Sequence, residues 1–170
     1  MKIAVVTSTV TGQIDALLSE AAGKLEAEGL RLSGAVKVTE HSEAGDHHCD
    51  MDLRILPSGP EIRITQSLGE GASGCRLDPA GIVAAVAAVE KNDLAAIDMF
   101  VLNKFGPQES EGRGFCDAIA GALEHDIPVL VGVGKNCQTA FDTFVDGMAE
   151  HLPPESDAIY DWCKVALVKS

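Results

Sequence analysis

KIAVVTSTVTGQIDALLSEAAGKLEAEG, residues 2–29, decides the fold. Lys2 to Thr7 is a short apolar, β-branched run of the kind buried on both faces of a sheet. After a polar turn, Ile14, Leu17, Leu18, Ala21, Ala22 and Leu25 recur at helical spacing, and Gly29 supplies a stop. A doubly buried strand followed by a turn and an amphipathic helix is the opening unit of an α/β protein.

The rest of the chain continues that alternation. Arg31 to Val38 predicts a second strand and Thr39 to His48 an exposed polar loop. Cys49, Met51, Leu53 and Ile55 alternate with polar residues, Ser58-Gly59-Pro60 supplies a turn, and Ile62 and Ile64 resume the alternation, which predicts a hairpin with one buried face. A glycine-rich loop, Gly69 to Gly74, leads through Cys75 to Asp78 and Pro79, an N-cap and first helical position ahead of Ile82, Val83, Val86 and Val89. Ile97 to Asn103 reads as a buried strand ending in the polar loop Lys104 to Gly114, and Phe115 to Glu124 as a helix before the strand Ile127 to Val133. Phe141, Phe144, Val145, Met148 and Leu152 predict an amphipathic helix broken by Pro153-Pro154. Ile159 to Val168 fits a short helix or an edge strand, and its periodicity does not separate them. The order predicts an α/β fold of three layers, a mostly parallel sheet with an antiparallel hairpin addition. No repeat or linker divides the chain, so residues 1–170 read as a single domain.

Composition narrows the partners. Thirteen Lys plus Arg stand against 26 Asp plus Glu, a net charge of −13. Such a surface repels the phosphate backbone that dominates nucleic-acid affinity, and it repels an anionic membrane face, so neither partner is expected. No apolar run approaches the roughly 20 residues that cross a bilayer, and the first apolar stretch, Ile3 to Val6, is far too short for a signal h-region. The five cysteines are odd in number and form no C-x-x-C pair, which reads as reduced thiols in a cytoplasmic protein. Nothing in the pattern specifies an oligomeric state or a cofactor.

Ligands of open α/β sheets bind beyond the carboxyl ends of the strands, and two loops fall there. Thr7-Ser8-Thr9-Val10-Thr11-Gly12-Gln13-Ile14 occupies the place of a phosphate loop, G-x-x-x-x-G-K-[ST]. Gly12 matches its second glycine, whereas Thr7, Gln13 and Ile14 replace the first glycine, the lysine and the metal-binding hydroxyl. The hydroxyls of Ser8, Thr9 and Thr11 suit an anion beside a helix N-terminus; the competing reading is a polar strand-to-helix turn. The second loop runs from Asn103, Lys104 and Gly106 through Glu109 to Arg113. A nucleotide hydrolase carries a Mg²⁺-binding acid at that strand end, and Asn103 and Lys104 stand there instead. Lys104 and Arg113 are scarce cations on an acidic chain, although a solvated ion-pair cluster would look the same. A third constellation, His47, His48 and Cys49 with Cys75, has the chemistry of a Zn²⁺ site but no tight ligand spacing. Catalytic residues are not assigned.

The segments LGEGASGCRLDPAGI (68–82), VLNKFGPQESEGRGF (101–115) and IPVLVGV (127–133) resemble an uncharacterised bacterial family, domain-of-unknown-function family 2478. That family is similar to P-loop nucleoside triphosphatases, and its members are often encoded near molybdate-transport genes. The resemblance implies a P-loop-NTPase-like fold, with Gly12 in the phosphate loop, Asn103 and Lys104 at the acidic Walker-B positions, and Glu109 matching a glutamate that follows them. The expected function is a binding or regulatory protein with degenerate nucleotide-binding motifs, taking a small anion or nucleotide-like ligand, within molybdenum handling. Losing both the loop lysine and the strand-end acid removes phosphoryl charge stabilisation and metal placement. Binding therefore ranks above a nucleoside triphosphatase or kinase-like enzyme with a non-standard loop, and above an interaction protein with a vestigial site.

Overall fold

A computed structural model describes residues 1–38, 51–67 and 75–168. The strands are β1 (Ile3–Val6), β2 (Leu32–Lys37), β3 (Asp52–Leu56), β4 (Glu61–Arg63), β5 (Thr65–Ser67), β6 (Cys75–Leu77), β7 (Met99–Phe105), β8 (Val129–Val133) and β9 (Glu150–Leu152). The helices are α1 (Gln13–Ala27), α2 (Pro79–Glu90), α3 (Pro107–Ser110), α4 (Cys116–Glu124), α5 (Gln138–Phe144) and α6 (Ser156–Leu167). Among the described residues, seven strands form one sheet in the order β4-β3-β2-β7-β8-β1-β9, with β5 and β6 as a separate antiparallel pair. β2, β7, β8, β1 and β9 run parallel, and the β3–β4 hairpin adds antiparallel to β2. The expected three-layer α/β architecture is the observed one.

The two-residue period of the strands sorts the core. Ile3 and Val5 face α2, α4 and α5 with Phe100, Leu102, Val129 and Val131. Ala4 and Val6 face α1 and α6 with Met99, Val101 and Leu130. Strands buried on both faces must be apolar throughout, which is why KIAVVT carries no alternation. Asp78 caps α2 as expected, its Oδ1 accepting from Ala80 N at 3.0 Å with Pro79 at the first helical position. Among the described residues no helix is long and apolar enough to cross a membrane.

Two expectations need correction, and one alternative left open is decided. The strand expected at Ile97–Asn103 runs from Met99 to Phe105. A 3₁₀ turn at Leu94–Ala96, capped by Asp93, ends just before it and ties Ile97 N to Leu94 O, and the buried Phe105 extends its end by packing edge-on against Phe141 at 5.3 Å. The expected helix through Leu152 stops at Phe144. Gly147 N donates to Asp142 O and Asp146 N to Thr143 O, with Asp146 at φ 52, which is a Schellman close. The chain beyond it becomes β9, pairing parallel with the edge of β1. The Ile159–Val168 segment resolves as helix α6, because Ile159, Cys163 and Ala166 bury one stripe in the layer of α1.

Burial pushes the Cys163 thiol up to about 12. Burial, with Glu109 and Asp117 adding negative charge, pushes Cys116 up to about 11. Unfolded thiols titrate near 8.5, so the folded chain holds these protons more tightly. This stabilisation is complete below about pH 8 and is lost as pH rises from about 9 through the folded values. In urea titrations between about pH 8 and 10.5, the wild-type midpoint is expected to fall more than that of a C116A/C163A variant. Equal slopes would show that these thiols are not held protonated by the fold.

Candidate functional site

β1 delivers the chain into the first loop, and Gly12, at φ 78, turns it into α1. Ser8 organises this loop: its Oγ accepts from Val10 N at 3.0 Å and donates to the Gln13 side-chain carbonyl. Gln13 is thus folded back onto its own loop. Thr7 and Ser8 are half-buried, and Thr9, Thr11 and Gly12 are exposed.

A cavity of about 560 Å³ opens beside this loop, lined by Thr7, Ser8, Thr9 and Gln13 and, from the β8–α5 connection, by Lys135 and Gln138. β1 and β8 are neighbours, but α1 leaves toward one face of the sheet and α5 lies on the other. Two connections that diverge from adjacent parallel strands leave a crevice at their carboxyl ends, the usual ligand position of such sheets. The volume lies within the range of small-molecule sites.

The second loop sits beside that crevice. Asn103 is buried two residues before the end of β7, and its Nδ2 donates to Asp15 Oδ1 at 2.7 Å. The other oxygen of Asp15 meets Lys37 Nζ at 3.1 Å. Lys104 is exposed, and its Cε lies 3.9 Å from where a Cβ on Gly134, itself lining the crevice, would stand. Gly106 and Glu109 turn away into their own loop: Glu109 is buried, with Oε2 accepting from Gly106 N at 3.0 Å and Oε1 from Phe115 N at 3.1 Å. Arg113 is exposed, pairs with Glu111 and does not line the crevice. Asn103, Lys104, Gly106 and Glu109 also border a mainly apolar void of about 50 Å³, which has room for a few waters only.

Of the residues expected to act together, the structure brings Ser8, Thr9 and Gln13 to one cavity and Lys104 to its border. It keeps Glu109 and Arg113 out of that cavity's lining. His47, His48 and Cys49, and the side chain of Cys75, lie outside the described residues. Asp15, Lys37, Lys135 and Gln138 escaped the sequence reading. Lys135 had a signal, since it follows a buried strand at the carboxyl-end side in VGVGK. The Asp15 pairing had none, because Lys37 and Asn103 are distant in sequence.

The family described as "Protein of unknown function (DUF2478)" matches residues 3–162. A curated relative, the molybdenum import ATP-binding protein ModC 2 of Bradyrhizobium diazoefficiens, is 35% identical over 163 residues. That alignment covers 95% of this chain but 18% of the relative, so the chain spans less than a fifth of the protein it matches. Among solved structures, the solution structure of a human cancer-related nucleoside triphosphatase superposes with a TM-score of 0.61 at 16% identity, covering 90% of this chain and 87% of that one. The structural likeness shows a shared nucleoside-triphosphatase-like α/β fold.

Proposed function

The chain belongs to the DUF2478 family, and from that premise we propose that it is a binding or regulatory protein that takes an anionic, nucleotide-like ligand in the crevice between the first loop and the β8–α5 connection. We read residues 1–170 as one domain, with Ser8, Thr9, Thr11, Gly12 and Gln13 on the ligand side and Lys104 at the border. The observation that carries this reading is the cavity of about 560 Å³ where the first loop meets Lys135 across adjacent parallel strands. The relative named as a molybdenum import ATP-binding protein supports a nucleotide-like ligand and a place in molybdenum handling. Gln13, Ile14 and Asn103 at the positions of a lysine, a hydroxyl and an acid favour binding over hydrolysis.

A thermal-shift series with ATP, ADP, sulfate and molybdate tests this. A ligand at one hundred times its Kd adds about 2.7 kcal/mol, which raises Tm by roughly 5–10 °C in a chain of this size. At least one of the nucleotides is expected to do so; a flat series would leave the vestigial-site reading in its place. Phosphate release from ATP with Mg²⁺ is expected not to exceed that of a Gln13→Ala variant, and a clear excess would establish the enzyme instead.

A further inference from the structure

Phosphate loops of this fold work with a divalent cation held by a Ser or Thr hydroxyl at the helix start and an acid at the end of a nearby strand. The residues here do not fit that cation. Ile14 holds the hydroxyl position, and its Cγ2 stands 2.5 Å from where a Cβ on Gly132 would lie, so an apolar group packs onto β8 there. Asn103 holds the acidic position and presents its amide Nδ2 to Asp15. Asp15, the carboxylate of that first helical turn, has one oxygen on Asn103 and the other on Lys37. Among the described residues no group of three His, Cys, Asp or Glu side chains is placed to hold a metal ion.

The cations of the chain have an uneven distribution of partners. Lys24, Lys37, Lys164, Arg31, Arg54, Arg63 and Arg113 each pair with a carboxylate. Lys2 donates to the carbonyls of Ala166 and Val168. Among the Lys and Arg whose side chains are described, which excludes Arg76 and Lys169, that leaves Lys91, Lys104 and Lys135 without a partner, on a chain with 26 acidic residues. Of the three, Lys135 lines the cavity, and Lys104, which lines the neighbouring void, has its Cε 3.9 Å from where a Cβ on the lining residue Gly134 would stand. Unpaired cations converging on a concavity raise the local potential against the general field, which is how an acidic protein attracts an anion. At about 560 Å³ the cavity has room for a phosphorylated small molecule.

We propose that the crevice binds its phosphate-bearing ligand as the free anion, with Lys135 and Lys104 supplying the charge that a loop lysine and a divalent cation supply elsewhere. The proposal rests on the nucleotide-like reading above and adds to it the form in which the ligand binds. Isothermal titration of the full chain with ATP and ADP, once in EDTA and once in excess Mg²⁺, tests it. Binding in EDTA is expected to be as tight as or tighter than binding in Mg²⁺. Lys135→Ala should weaken it about tenfold or more, because a charge-assisted contact is lost, and Lys135→Arg should stay within about threefold. Lys104→Ala combined with Lys135→Ala should remove measurable binding; both side chains are exposed, so circular dichroism should be unchanged. Binding that Mg²⁺ tightens tenfold, or that Lys135→Ala leaves unaltered, overturns the free-anion proposal while the nucleotide-like reading stands. No binding in either buffer overturns both.

Discussion

Replacing Gly34 with alanine is expected to leave no stably folded protein. Gly34 lies within β2 at φ 112, directly paired with Val101 of β7. A Cβ there would stand 2.8 Å from the carbonyl carbon of Val101 and closer still to its oxygen. Both contacts are backbone, so no side chain can rotate away. Relief requires moving β2 from β7, which breaks the parallel ladder on which the β3–β4 hairpin also depends. Backbone clashes of this kind belong to the rare substitutions costing above about 4 kcal/mol, against a total stability of about 5–15 kcal/mol. Circular dichroism and urea unfolding should find an insoluble or non-cooperative chain. A cooperative transition within about 1 kcal/mol of the parent would mean that the strands do not approach this closely.

The second large effect is at Glu109. Family resemblance sets it opposite a glutamate next to the Walker-B positions, a placement that invites a role on the ligand. In the structure its carboxylate instead braces the loop. Each oxygen accepts from a buried backbone amide, Gly106 N and Phe115 N, and so closes the turn around α3 onto the start of α4. Glu109→Ala would leave both donors buried and unpaired, costing about 2–5 kcal/mol. Glu109→Gln keeps one acceptor and turns an NH₂ toward the other amide, so an intermediate loss is expected. Urea midpoints in the order wild type, Gln, Ala would support the structural role. Variants of parental stability that lose only ligand response would show instead that the carboxylate serves the crevice.

The contrast between Glu109 and Lys135 shows how far the sequence reaches into the site. The residue pattern of the first loop and of NKFG places both loops at the carboxyl ends of the strands, because each follows directly on a strand of a parallel sheet. It does not say which polar groups are already consumed. Glu109 and Arg113 look available in sequence, yet one is taken by backbone amides and the other by Glu111. Lys135 follows a buried strand in VGVGK, but that it faces the first loop is visible only once β8 is found beside β1.

The same division holds for the fold. Strands such as KIAVVT and IPVLVGV are legible because burial on both faces demands continuous apolar residues, and α2 because Asp78 and Pro79 are local capping chemistry. The length of β7 and the switch from α5 to β9 are not, since they depend on Phe105 meeting Phe141 and on the open edge of β1. By itself the sequence determined the alternation of strands and helices, the acidic charge and the departures from a phosphate loop, all of which are properties of neighbours along the chain. Only the tertiary structure decided the strand order, and with it which connections share a crevice and which cations remain unpaired. Hydrogen bonds and ion pairs between residues tens of positions apart exist only once the sheet has brought them together.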